Sequence, residues 1–307
     1  MRGAIPDGRV RGEEMKLSAI LRSYLKTPDK MVVAPGAFDG ISARLIAEAG
    51  FEAIYMTGAG TAASKIGQPD LGLITLSEMV ANAAAIVECT GLPVIADADT
   101  GYGNPLNVIR TVREFERTGV AAIHLEDQTF PKRCGHMEGK QVVPAEEFVQ
   151  KIIAACDARR SDDFLIIART DARTVHGFEE AVRRANLYAD AGADVVFVEA
   201  PLSVEEMASI PKLLKAPCLI NMAGPASRTP ALPNEDLRRM GYKIAIHPAI
   251  AMDAVVTSIR LALKRLRKEG ISWDPENVVG PQKFFEAMGL GTWRAYEKNY
   301  TSNGEDT

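Results

Sequence analysis

Two apolar runs of this 307-residue chain end in paired acids: Asp97 and Asp99 in DADTGYG (97–103), Glu126 and Asp127 in AAIHLED (121–127). Carboxylates two residues apart at a strand end point to the same side. Together they can hold a hard divalent cation, directly or through waters. Magnesium suits such a set, because it takes few carboxylates and keeps several waters and substrate oxygens. Soft ligands are too few for zinc. The competing reading has Asp99 capping a helix or pairing with Arg110 or Arg113.

A third stretch, KRCGHMEGK (132–140), brings a thiol, an imidazole and several cations together between glycines. Cations lower a thiol pKa, so Lys132, Arg133 and His136 suit Cys134 to give or take a proton, or to act as a nucleophile. An exposed turn without function is the alternative. Cys89, Cys156 and Cys218 lie in helical or strand patterns and read as core residues. No CxxC pair occurs, and the spacing fits neither a zinc site nor a disulfide scaffold. In YMTGAGTAAS (55–64), small residues after a strand let backbone N–H groups approach a ligand carboxylate, or simply make a tight turn. In ARTDA (168–172), Arg169 suits bidentate gripping of a carboxylate, or a structural ion pair with a nearby acid. His124 reads as a hydrogen-bonded inner residue near the metal's waters and His176 as a surface residue. His247 fits either role.

These residues need a scaffold that brings strand ends together. Eight short apolar runs supply one: 31–36, 52–58, 92–99, 121–127, 164–171, 194–200, 217–223 and 243–249. Amphipathic stretches with apolar residues at three- and four-residue spacing lie between them, several closed by glycine. Runs that are nearly continuous in apolar residues belong to strands buried on both faces, as in a parallel sheet covered by helices. Eight units in this length predict an α/β fold, a (β/α)8 TIM barrel, whose C-terminal strand ends share one face. Tyr55, Thr57, Asp97, Asp99, Glu126, Arg169, Asp171, Glu199, Asn221 and His247 all fall at or just after run ends. A doubly wound sheet is disfavoured, since no GxGxxG follows the first run.

Apolar content of 47%, charged content of 25% and a net charge of −4 with mixed signs describe a globular chain without a basic stripe for nucleic acid. No apolar run approaches the roughly 18 residues of a membrane span. The polar N-terminus lacks a signal-peptide core. The expectation is a cytoplasmic protein with reduced thiols. Residues 1–14 read as a disordered extension and 15–307 as one barrel domain. Beyond the eighth helical pattern, a segment with Phe284, Phe285, Met288, Leu290, Trp293 and Tyr296 is too apolar for water and must pack on this barrel or on a neighbouring subunit.

Taken in order and spacing, YMTGAGTAAS, PDLGLITLSEM, DADTGYG, HLEDQ, KRCGH, ARTDA and FVEA resemble the phosphoenolpyruvate mutase/isocitrate lyase superfamily over roughly residues 17–295. KRCGH resembles its lyase branch, whose catalytic loop carries a cysteine. The resemblance implies a magnesium-dependent barrel (manganese being a possible substitute). It also implies a homotetramer, a dimer of dimers that exchange the last helices, about residues 250–300. Asp97, Asp99 and Glu126 would hold magnesium or its waters. Thr57, Gly58 and Ala59, with Tyr55, would hold the α-keto acid end, and Arg169 would grip a carboxylate. Gly135, Glu199 and Asn221 would line the pocket. Cys134 would be the catalytic acid/base on a closing loop, with Lys132 and His136 beside it. The base for the substrate hydroxyl would be Tyr55 or a metal-associated acid.

The implied reaction is cleavage of a 2-hydroxy di- or tricarboxylate to an α-keto acid, such as pyruvate, and a carboxylate. Between substrates, HMEGK is similar to the dimethylmalate-cleaving lyases, and Asp253 stands where a tricarboxylate enzyme is expected to carry an arginine. A substituted malate is therefore favoured over a 2-methylisocitrate-like acid. The alternative is an oxaloacetate hydrolase or decarboxylase, or a phosphonate-processing enzyme of the same scaffold. A non-catalytic keto-acid sensor is the reading from another class.

Overall fold

The computed structural model describes residues 16–135, 137, 139–224, 227–273 and 278–300. Residues 1–14 and His136, which the sequence singled out, lie outside the described residues.

Among these residues eight parallel strands close into a barrel in chain order: β1 (Val32–Ala37), β2 (Ile54–Met56), β3 (Val94–Asp97), β4 (Ala122–Glu126), β5 (Leu165–Thr170), β6 (Val195–Val198), β7 (Cys218–Asn221) and β8 (Ile244–His247). Register carries the ring from Gly36 opposite Tyr55 round to Val32 opposite Ile244. The expected (β/α)8 architecture is therefore present, and each apolar run marks one strand, β1 extending one residue past its run.

Two cores explain why the strands are apolar on both faces. Ile95, Ile167, Phe197, Leu219 and Ile246 fill the barrel, and Leu21 and Leu25 of the helix Leu17–Lys26 join that cluster where the strands begin. A second layer packs strands against helices, with Ile123, Ile166 and Val196 meeting Phe115, Phe148, Tyr188 and Met207. The helices start where the sequence supplies caps. Thr75 and Glu78 make a reciprocal capping box for Leu76–Thr90, and Asn104 does so with Asn107 for Pro105–Arg117. Gly91 ends its helix in a left-handed conformation.

The chain divides into two compact units, one spanning Lys16–Val255 and the other including residues from Val256 onward. The second, in its described part, holds the end of the helix Ile250–Glu269 and the helices Gly280–Ala287 and Leu290–Tyr300. No helix among the described residues is long and apolar enough to cross a membrane.

Candidate active site

The site is built at the C-terminal ends of the strands. Asp97 ends β3 and is buried. Its Oδ2 accepts from the Gly58 backbone N–H at 3.2 Å, and its Oδ1 from the Asp99 N–H at 2.9 Å. Gly58 opens the helix Gly58–Ile66, capped by Thr57. A Cβ on Gly58 would come 2.5 Å from Asp97 Oδ2, so a glycine is needed for this approach. The turn of small residues after β2 thus aims a helix N-terminus at the cluster, an arrangement that favours anions.

Tyr55 and His124 stand side by side below Asp97. The Tyr55 Oη is 2.7 Å from His124 Nε2 and 3.3 Å from Asp97 Oδ2, and His124 Nε2 is 3.3 Å from Asp97 Oδ1. Burial, then the charge of Asp97, raises the Tyr55 pKa well above its ordinary value. Burial also works on Asp97, but His124, Lys132 and Arg169 outweigh it and hold this carboxylate below its usual range.

Glu126, ending β4, is 1% exposed, and neither of its oxygens has a hydrogen-bond partner among the described residues. Arg169 Nη1 lies 3.2 Å from its Oε2. Burial raises its pKa well above the ordinary range. A buried carboxylate short of hydrogen bonds is costly unless a charge joins it. One ligand atom each from Asp97, His124 and Glu126 lie within 4.8 Å of one another. His124 Nε2 is engaged by Tyr55, and the oxygens of Asp97 and Glu126 are the hard donors of the set. An oxygen-dominated, incomplete set of this kind fits a hard divalent ion that keeps waters.

Asp99 behaves differently from its neighbour. It adopts the left-handed region at φ 48 and turns to Lys132, whose Nζ is 2.6 Å from Asp99 Oδ1 and 2.5 Å from Asp70 Oδ1. Arg110 and Arg113 are not its partners. Burial and the nearby Asp97 and Asp70, against the pull of Lys132, push Asp99 up to about 6. Lys132, though penalised by burial, is held well above its usual value by Asp99, Asp97, Glu126 and Asp70.

Arg169 on β5 is engaged as an ion pair. Its Nε and Nη2 reach Asp171 at 2.8 and 3.1 Å, and the guanidinium lies over Phe197. It nevertheless borders the substrate-sized cavity. Asn221 at the end of β7 donates to both oxygens of Glu199, at 3.2 and 3.3 Å.

The segment carrying Cys134 leaves β4 and returns through an antiparallel bridge between Gln128 and Val142. Gln128 pins it, donating to the Arg133 carbonyl at 2.8 Å and accepting from the Arg133 N–H at 3.0 Å. Cys134 and Gly135 then border a cavity of about 350 Å3, together with Tyr55, Thr57, Ala59, Asp97, Arg169, Glu199 and Asn221. The structure therefore gathers the thiol, the acids and the small-residue turn around one space. Of the cysteines expected in the core, Cys218 is buried there while Cys89 and Cys156 are half-buried at its edge; burial pushes the Cys156 thiol up to about 11 and that of Cys218 up to about 12.

Some participants were not singled out by residue type alone. Asp70 lies in the loop after Gly67, where no periodicity marks it, and only its contact with Lys132 reveals it. Gln128 and Lys140 bond across the Cys134 segment, which spacing along the chain does not show. His124 was read as an inner residue, and its partnership with Tyr55 gives that reading its content.

Comparison with known proteins agrees with this geometry. A family described as phosphoenolpyruvate phosphomutase matches residues 21–267. The 2,3-dimethylmalate lyase of Eubacterium barkeri is 49% identical over 292 residues, covering 94% of this chain and 99% of that protein. A 2-methylisocitrate lyase of Aeropyrum pernix is 44% identical, covering 91% of this chain and 88% of the relative. Among solved structures, an oxaloacetate acetylhydrolase in complex with the inhibitor 3,3-difluorooxalacetate superposes with a TM-score of 0.89 at 40% identity, covering 96% of this chain and 100% of that one.

Proposed function

Because this chain belongs to the phosphoenolpyruvate mutase/isocitrate lyase superfamily, we propose that it is a magnesium-dependent carbon–carbon lyase acting on a substituted malate such as 2,3-dimethylmalate. The observation that carries the reading is that Cys134 and Asp97 border one cavity, with Glu126 in the same acid cluster as Asp97.

Asp97 and Glu126 would hold the ion, with Asp99 reached through waters. A bound magnesium ion supplies charge that lowers the pKa of the substrate hydroxyl. Thr57, Gly58 and Ala59, at the N-terminus of their helix, would hold the α-carboxylate, and Arg169 would grip the second one. The hydroxyl proton would pass either to a carboxylate of the cluster or through the Tyr55 hydroxyl, which hands its own proton on to His124 as it receives the substrate's. The C2–C3 bond breaks, its electron pair staying on C3 as a carboxylate-stabilised carbanion while C2 becomes the ketone of pyruvate. Cys134 gives its proton to C3, and propionate forms. Gly135 and Cys134 over the cavity keep water from that carbanion.

The rest of the cavity wall supports the choice of substrate. Ala223, Pro248, Ala249 and Met252 line it, with Ser227 and the acids Asp70 and Asp253. Apart from Arg169, no cation borders the cavity among the described residues. Methyl groups suit such a wall, and a third carboxylate does not. The oxaloacetate acetylhydrolase likeness favours a second reading, hydrolysis of oxaloacetate to oxalate and acetate.

The second unit supports the expected assembly. Leu261, Leu263 and Trp293 are 62%, 58% and 67% exposed, more apolar surface than a helix leaves to water, and a second copy of the chain would cover it as helix-exchanged pairs within a tetramer. Incubating the purified protein with magnesium and 2,3-dimethylmalate, 2-methylisocitrate or oxaloacetate, then assaying pyruvate and oxalate, tests the function. Pyruvate from dimethylmalate is expected. Oxalate with no keto acid from either lyase substrate would overturn the lyase reading.

A further inference from the structure

Lys140, at the return end of the Cys134 segment, is buried in a place where a turn lysine would ordinarily reach water. Its side chain is 2% exposed, and its Nζ lies 2.7 Å from Asp171 Oδ1, itself fully buried. The same ammonium donates to the carbonyl oxygen of Gly135, the residue next to the thiol. A buried ammonium persists only where charge and hydrogen bonds replace its water. Of the two acceptors, Gly135 belongs to the segment and Asp171 to the barrel, so the ammonium has both only while the segment lies against the barrel.

Asp171 makes this contact more than local. It also takes Arg169 through two bonds, and its backbone N–H donates to Asp127 Oδ1 at 2.9 Å. The acid that orients the substrate-facing guanidinium therefore also receives the lysine of the thiol segment. Gly135 fits beneath that lysine because it has no side chain: a Cβ there would meet Arg169 Nη2 at 2.5 Å and Glu199 Oε1 at 2.6 Å.

We propose that Lys140 is the latch of the thiol-bearing segment, bridging the Gly135 carbonyl to Asp171 so that Cys134 stays over the cavity. It is a positioning residue, since it does not border that cavity. The proposal rests on the reading of Cys134 as the acid facing the substrate, but its test does not depend on turnover.

The test is site-resolved alkylation of Lys140→Met with iodoacetamide, in the absence of substrate. Loss of a charged hydrogen-bonded contact raises the open fraction, and Cys134 should be modified about tenfold faster than in the unaltered protein. Cys218, a core cysteine 2% exposed, reports on the fold and should stay slow. Lys140→Arg, which keeps a cation, should recover part of the protection. Faster Cys134 labelling with slow Cys218 supports the latch, and unchanged Cys134 labelling in a folded Lys140→Met protein overturns it. If Cys218 also labels fast, the unaltered protein decides. Adding magnesium and pyruvate should then slow acylation of Lys140 and alkylation of Cys134 by the same factor. Independent responses overturn the latch.

Discussion

Gly135 lies so close to Arg169 that a methyl group on the glycine would sit 2.5 Å from the guanidinium Nη2. The thiol segment and Arg169 are thus closely packed, and a side chain on Gly135 would displace one or the other. Gly135→Ala should lower kcat about 10- to 100-fold, the usual result of displacing a reacting group by about 1 Å. The melting temperature should change little, since an open segment accommodates the methyl. A variant with unaltered kcat would mean the segment reacts from elsewhere.

Asp127 predicts the stability of the frame behind the site. Its Oδ2 accepts from Thr170 Oγ1 at 2.8 Å, Tyr188 Oη at 2.8 Å and Arg184 Nη1 at 3.1 Å. Asp127→Ala leaves a buried arginine and two hydroxyls without their acceptor, which costs about 3–5 kcal/mol. Denaturant unfolding measures it. A loss within the roughly 0.5 kcal/mol of an ordinary surface change would contradict the network's role.

Proton and metal should compete at the acids. Asp99 is raised from 3.8 to about 6, and Glu126 is raised as well. In the metal-free protein the folded state therefore holds more protons than the unfolded chain between these values, and its stability falls as pH rises through that window. Asp97 is shifted downward and titrates below it. Magnesium needs ionised carboxylates, so its affinity rises with pH over the same window. Melting temperatures with and without magnesium should diverge as pH rises from 3.8 to about 6, and a pH-independent gap would contradict the assignment. Glu126→Gln should remove most of the magnesium-induced stabilisation.

The apolar wall makes a specificity prediction. Met252→Arg places a cation beside Ala249 and Pro248, and should shift the ratio of kcat/KM values toward 2-methylisocitrate by about tenfold or more. A ratio that stays constant would mean that the substrate's far end lies elsewhere.

The barrel was legible because its signals are periodic. Runs such as 92–99 and 164–171 are apolar throughout, and β3 and β5 lie within them. The acids of the cluster were legible for the same reason, since a strand end is a place one can count to. Partnerships across the chain were not. Asp99 belongs to Lys132 rather than to Arg110 or Arg113, and that follows from the path of the 132–140 segment, which no spacing rule encodes. Arg169 could be read as a substrate grip or as a structural ion pair; the structure has it paired with Asp171 at the edge of the cavity, so the two readings were not exclusive.

The central claim is that Cys134 protonates a carbanion formed over the metal-holding acids. Its most direct measurement is pyruvate and propionate production from 2,3-dimethylmalate with magnesium, comparing the unaltered protein with Cys134→Ser. The account predicts equimolar products from the former. In the serine variant kcat should fall by about 10²–10⁴-fold, the range of a lost general acid, while magnesium and pyruvate still protect it against thermal unfolding. Near-normal turnover in Cys134→Ser would contradict it.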